Sequence, residues 1–112
     1  MRGLEITKSV LADIFAERQR QVAKWGDQQH RDHETALLQE CYVDTAMAYK
    51  ALNDNATTAG VDPSWPTILL EEVYEALAEG DRSVERLERE LLQVAAVCTA
   101  WVEDIRSRST NN

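Results

Sequence analysis

Apolar residues recur along most of this chain at intervals of three and four, the spacing of one face of an α-helix. Leu11, Ile14, Phe15, Val22 and Trp25 trace the first such face and predict a helix from about Thr7 to Trp25. Gly26 follows directly, and a glycine just past the last periodic residue stops a helix. Gln28 to His33 then reads as a polar loop. Leu38, Tyr42, Ala46, Tyr49 and Leu52, widened by Cys41 and Thr45, predict a second helix from about Glu34 to Asn53. Asn53 to Asp62 is made of turn-forming residues and predicts the longest loop. Ser64 or Trp65 caps a third helix, which has Pro66 in its first turn and ends at Gly80. Asp81 or Ser83 opens a fourth, running to about Arg106. Residues 1–106 are thus expected to form one all-α, four-helix bundle-like domain, with 107–112 as a frayed tail.

The fourth helix has two halves. Arg82 to Glu90 is charged, and Arg82/Glu85, Glu85/Arg89 and Arg86/Glu90 can pair along the helix. From Leu91 to Val102 only Gln93 and Thr99 are polar. A helix apolar nearly all round needs cover on several sides. A domain this small cannot supply it, so the chain is expected to form a homodimer or homotetramer through this helix.

Composition narrows the class. The 112 residues are 44% hydrophobic and 29% charged, a soluble globular balance, and four Gly with two Pro are too few for a turn-rich β-sandwich. No run of 18 apolar residues exists to span a membrane, and MRGLEITKSV lacks a signal-peptide core, so a cytoplasmic location is expected. The net charge of −8 argues against nucleic-acid and anionic-membrane partners, which need a basic face. It does not argue against nucleotides, because divalent cations can bridge two sets of negative charges. Cys41 and Cys98 sit among apolar residues and are expected to be reduced, buried thiols. With no CxxC, a zinc site is not expected.

The third helix concentrates the candidate chemistry. Glu71, Glu72, Glu75 and Glu79 occupy it, and no Lys, Arg or His lies between Pro66 and Asp81. Like charges at i,i+4 destabilise a helix, and Glu79 also meets the negative end of the macrodipole. Glu72 and Glu75 flank the apolar stripe of Leu69, Leu70, Val73 and Leu77. Glu90 and Gln93 repeat the i,i+3 oxygen pair on the fourth helix. Two helices that each present such a pair suit a hard cation such as Mg²⁺. The same residues also fit a solvated acidic face with Glu90 paired to Arg86.

The ordered motifs resemble a known family. Glu71-Glu72-Val-Tyr-Glu75 is similar to the EExxE, and Glu90-Leu-Leu-Gln93 stands in the place of the ExxD, of MazG-like proteins in the all-α nucleoside triphosphate pyrophosphohydrolase superfamily. Glu17-Arg18-Gln19-Arg20-Gln21-Val-Ala-Lys24-Trp25-Gly26-Asp27-Gln28-Gln-His30 is similar to an N-terminal segment of its small members. The resemblance covers most of the chain and is weakest from Glu34 to Gly60. It implies a MazG-type fold that assembles as dimers or tetramers. It implies Mg²⁺-dependent hydrolysis of a nucleoside triphosphate, with Mn²⁺ as a possible substitute, giving a monophosphate and pyrophosphate, and a role in nucleotide-pool house-cleaning. Carried over, Glu72, Glu75 and Glu90 are metal ligands, and Glu71 is a further ligand or orients the attacking water, so that Glu71 and Glu72 stand as the catalytic pair. Gln93 departs from the usual Asp; its carbonyl oxygen can still bind a metal, with one charge fewer.

Around the N-terminal motif, Trp25 is either a base-stacking platform or a core residue closing the first helix. Lys24 and Arg18 are candidates for phosphate, and Gln28 and His30 for base or phosphate, against a polar helix face and loop capping. His30 with His33 makes a weak transition-metal candidate. No GxxxxGK[ST] or GxSxG occurs, so P-loop and α/β-hydrolase chemistry lack their motifs. The competing class is a non-enzymatic helical interaction module that keeps the fold, and Gln93 is the residue that favours it.

Overall fold

The computed structural model describes residues 2–80 and 82–110, with backbone alone for Arg2, Gly3 and Thr110. These residues form four α-helices and no strand: α1 Arg2–Trp25, α2 Ala36–Thr58, α3 Trp65–Glu79 and α4 Val84–Thr110. None of the four is long and apolar enough to cross a membrane. The chain divides into two compact units: one runs from Arg31 to Val97, and the other gathers the chain up to His30 with the segment from Cys98 onward.

In the first unit α2 and α3 pack as an antiparallel hairpin. Asn53, late in α2, donates to Thr67 O at 3.0 Å, early in α3. Gln39, early in α2, donates to Leu77 O at 2.9 Å, late in α3. Between these ties Tyr74 meets Tyr42 with ring centroids 6.3 Å apart and stacks on Tyr49 at 5.8 Å. Such pairs each add about 0.5–1.5 kcal/mol beyond the area they bury. Ala46 and Ala76 are the buried apolar residues of this layer.

The start and stop of α3 follow from local chemistry. The Ser64 hydroxyl accepts from Thr67 N–H at 3.3 Å, Pro66 occupies the first turn, and Gly80 leaves the helix at φ +61°. A Cβ at Gly80 would lie 2.9 Å from Gln39 Nε2. Glycine is required there by its backbone angle, and a Cβ would also push the Gln39 amide away from its bond to Leu77 O. Ser83 caps α4, accepting from Arg86 N–H at 3.2 Å, while the alternative cap Asp81 lies outside the described residues.

α2 departs from expectation by continuing through the sequence read as loop, to Thr58. Thr57 and Thr58 donate to the carbonyls of Asn53 and Asp54, and Lys50 pairs with Asp54, so the last turn is held despite poor helix formers. Asn53, a turn-former by composition, instead spends its side chain on α3.

In the second unit Thr7 and Val10 are the packed positions of α1, with the exposed Asp13 tied at their edge to Arg106. Thr7 donates to Glu103, and Arg106 donates to Ser9 at 3.2 Å and Asp13 at 2.5 Å. Val10 is 2% exposed. The predicted apolar stripe of Leu11, Ile14, Phe15, Val22 and Trp25 faces outward instead, because this polar and Val10 face is the one engaged. α4 also continues past Arg106 to Thr110, supported by the Asp104–Arg108 pair.

A further expectation is corrected. Cys41 and Cys98, expected to be buried, are both exposed. On the apolar half of α4, Leu91 and Leu92 are exposed in the single chain.

Candidate metal centre

The α2–α3 packing turns part of the acidic face of α3 inward. One carboxylate oxygen from each of Glu71, Glu72 and Glu75 lies within 4.8 Å of the others, and all three residues are half-buried. Oxygens sharing one octahedral Mg²⁺ lie about 3–4 Å apart, given Mg–O distances of about 2.1 Å.

Asn53 explains why Glu71 belongs to the trio. Its Nδ2 donates to Glu71 Oε1 at 2.7 Å as well as to Thr67 O, so one amide orders both backbone and carboxylate. Asn53 itself is buried. Neither helical periodicity nor the acidic motif pointed to it.

Glu90 joins from α4. Burial first, then the charges of Glu90 and Glu71, push the Glu72 carboxyl above the usual range. Burial, the charges of Glu72 and Glu71, a hydrogen bond with Glu71 and the charge of Glu90 push Glu75 up to about 7. Glu72 Oε2 and Glu90 Oε2 are buried without a hydrogen-bond partner. A buried carboxylate oxygen lacking a donor is costly. Crowded carboxylates, two orphaned oxygens and a proton retained near pH 7 are what a site for a missing positive charge presents. The donor set is all oxygen, which suits Mg²⁺ or Mn²⁺ better than a thiophilic ion.

Gln93, one turn beyond Glu90 on α4, is exposed. Arg86 does not pair with Glu90: its Nε lies 3.6 Å from Glu79 Oε1. The Glu79 side chain is only 6% exposed, so it has the greater need of a counter-charge. Arg82 offsets the negative end of α3 by donating to Ala78 O at 3.1 Å and Glu79 O at 3.3 Å.

No protein-family model, curated protein or solved structure matches this chain.

Arg18, Lys24, Trp25, Gln28 and His30 lie in the unit that contains α1, and all are exposed. Trp25 is 55% exposed, so it is not a core residue of that unit. Lys24 Nζ sits 4.9 Å from its ring centroid. Arg18 donates to Gln21 Oε1 at 2.6 Å. His33 lies near Glu34 O at 3.3 Å, and the described acidic, Cys and His residues place no histidine in a metal cluster.

Residues that the sequence motifs left out border the carboxylates. A cavity of about 290 Å³ is lined by Lys50, Glu75, Glu79, Arg82, Arg86 and Glu90, with apolar residues of α2 and α3. A second, of about 500 Å³, shares Val43, Ala78, Glu79 and Arg82 with it and adds His33 and Gln39. The sequence signals for Glu79 were its place in the like-charge series one turn after Glu75 and its position at the negative end of the helix.

Proposed function

We propose that this protein is a Mg²⁺-dependent nucleoside triphosphate pyrophosphohydrolase of MazG-like type. The observation that carries the proposal is the half-buried trio Glu71, Glu72 and Glu75 facing Glu90, with orphaned oxygens on Glu72 and Glu90. Glu72, Glu75 and Glu90 would hold the metal, with Gln93 one turn further along α4 as a neutral ligand. A bound divalent ion would supply charge neutralisation at the phosphates and a water of lowered pKa.

The chain's own residues do the rest. Glu71 is fixed by Asn53 before any ligand arrives, so it orients the attacking water at the α-phosphorus. Glu75 keeps a proton to about pH 7 and gives it up when a cation takes its place. Lys24, Trp25, Gln28, His30 and Arg18 are exposed and carry the chemistry to meet base and phosphate. Self-association through α4 belongs to the same proposal, supported by Leu92, which is 64% exposed.

The test is pyrophosphate release from a panel of NTPs and dNTPs, with Mg²⁺ or EDTA, for wild type and Glu75→Gln. Metal-dependent release that the variant lacks is expected. No release from folded wild type across the panel would overturn the proposal and leave a helical interaction module as the function.

A further inference from the structure

We infer that Lys50, Arg82 and Arg86 form an anion wall that takes the pyrophosphate end of the substrate, beside the metal carboxylates. The inference draws its substrate from the pyrophosphohydrolase proposal, but the site can be tested without hydrolysis.

The 290 Å³ cavity supplies the geometry. It brings Lys50 of α2, Arg82 of the α3–α4 corner and Arg86 of α4 to one concavity with Glu75, Glu79 and Glu90. Three cations balance three carboxylates, so its formal side-chain charge is zero when all are ionised. One divalent ion on Glu75 and Glu90 would raise that to +2. A cavity that is neutral when empty and positive once metallated selects a polyanion that arrives with or after the metal.

The cations are held in ways a phosphate can displace or use. Lys50 Nζ lies 3.5 Å from Asp54 Oδ2, and both side chains are more than half exposed. Such a pair is weak and readily exchanged. Arg86 faces Glu79 through Nε at 3.6 Å, beyond hydrogen-bond reach, and its side chain is largely exposed. Glu79 Oε1 is buried without a hydrogen bond, so Glu79 steers Arg86 by charge rather than by a saturating contact. The planar fork of Arg86 can then meet two phosphate oxygens. Arg82 anchors the corner by donating to Ala78 O and Glu79 O, which fixes its guanidinium on the cavity wall. The larger cavity across Val43, Ala78, Glu79 and Arg82 leaves room for the rest of a nucleotide.

The experiment is calorimetric titration of inorganic pyrophosphate into the full chain with Mg²⁺, for wild type, Lys50→Gln, Arg86→Gln and Arg86→Lys. Arg108→Gln serves as a control because, among the described residues, Arg108 pairs along α4 with Asp104 and does not line the cavity. Binding to wild type should need Mg²⁺. Lys50→Gln and Arg86→Gln should each weaken it about tenfold, the loss of one charge-assisted contact. Arg86→Lys should recover part, and Arg108→Gln should match wild type. The Mg²⁺-induced rise in melting temperature should persist in both Gln variants, which separates a phosphate contact from a general loss of structure. Wild type that binds no pyrophosphate, or Gln variants that bind it as tightly as wild type, would overturn the inference. If NTP hydrolysis fails while pyrophosphate binding depends on Lys50 and Arg86, the anion wall stands and the enzymatic proposal falls. If hydrolysis proceeds and the Gln variants leave pyrophosphate binding and KM unchanged, the reverse holds.

Discussion

Asn53 Nδ2 donates to Glu71 Oε1 across 2.7 Å, so an amide of α2 presets a carboxylate of α3 before any cation is present. The same nitrogen donates to Thr67 O. Replacing Asn53 by Leu would leave the half-buried Glu71 Oε1 without this donor, while Thr67 O keeps its place in the helical ladder of α3. A loss of about 1–3 kcal/mol in unfolding free energy is expected for the carboxylate oxygen left unpaired. Urea denaturation measures it. A variant as stable as wild type would show that the bond carries nothing.

Glu75 predicts an inverse pH dependence of stability. Its pKa of about 7 in the folded chain exceeds its ordinary value of 4.5, so the folded state holds the proton more tightly. Its contribution to stability is full below about pH 4.5 and is lost as pH rises through 7. Glu72 shifts in the same direction. Metal-free protein should therefore melt at lower temperature at pH 8 than at pH 6, and Glu75→Gln should flatten that difference. Melting curves across this window, in EDTA, decide it.

Metal binding should carry the opposite sign. A cation competes with the proton on Glu75, so Mg²⁺ or Mn²⁺ should raise the melting temperature more at pH 8 than at pH 6. Calorimetry in buffers of different ionisation heat should register proton release below pH 7. Glu72→Gln and Glu75→Gln should lose most of the metal response.

Gln93 offers a gain-of-affinity test. Gln93→Asp places a carboxylate one turn from Glu90 on an exposed position of α4, at little cost in packing. Tighter Mn²⁺ binding is expected, read by calorimetry. Unchanged affinity would exclude position 93 from the metal shell.

Gly80 and Gly60 separate two origins of glycine dependence. Both have positive φ, but only at Gly80 would a Cβ meet a neighbour, Gln39 Nε2 at 2.9 Å. Ala at position 60 should lose about 1 kcal/mol from backbone strain alone. Ala at position 80 should lose more, and pairing it with Gln39→Ala should remove the steric part. Chemical denaturation of the three variants checks this.

Features written in short-range chemistry were legible in the sequence. Ser64 and Pro66 mark the start of α3, and Gly26 and Gly80 mark helix ends, because caps and positive φ depend on a few adjacent atoms. The i,i+3 spacing of Glu72 and Glu75 was visible for the same reason. The end of α2 was not, because Asn53, Thr57 and Thr58 satisfy in space the groups they usually use to break helices. Helical spacing put only Glu72 and Glu75 beside the apolar stripe, whereas the placing of Glu71 depends on Asn53 reaching it from α2. The partner of Arg86 depended on which carboxylate was more buried, and periodicity does not rank Glu79 against Glu90 in that respect. On α1 the packed positions are Thr7 and Val10, beside polar ties to Glu103 and Arg106 that the apolar periodicity does not register.

The exposed thiols have a practical consequence. Cys41 lies in the unit built on α2 and α3, and Cys98 in the unit that contains α1. The native chain thus carries one attachment point on each unit and no other cysteine. Spin labels placed on both would read the spacing between the two units in solution, and would follow any change in it as nucleotide and metal are added, without a single engineered residue.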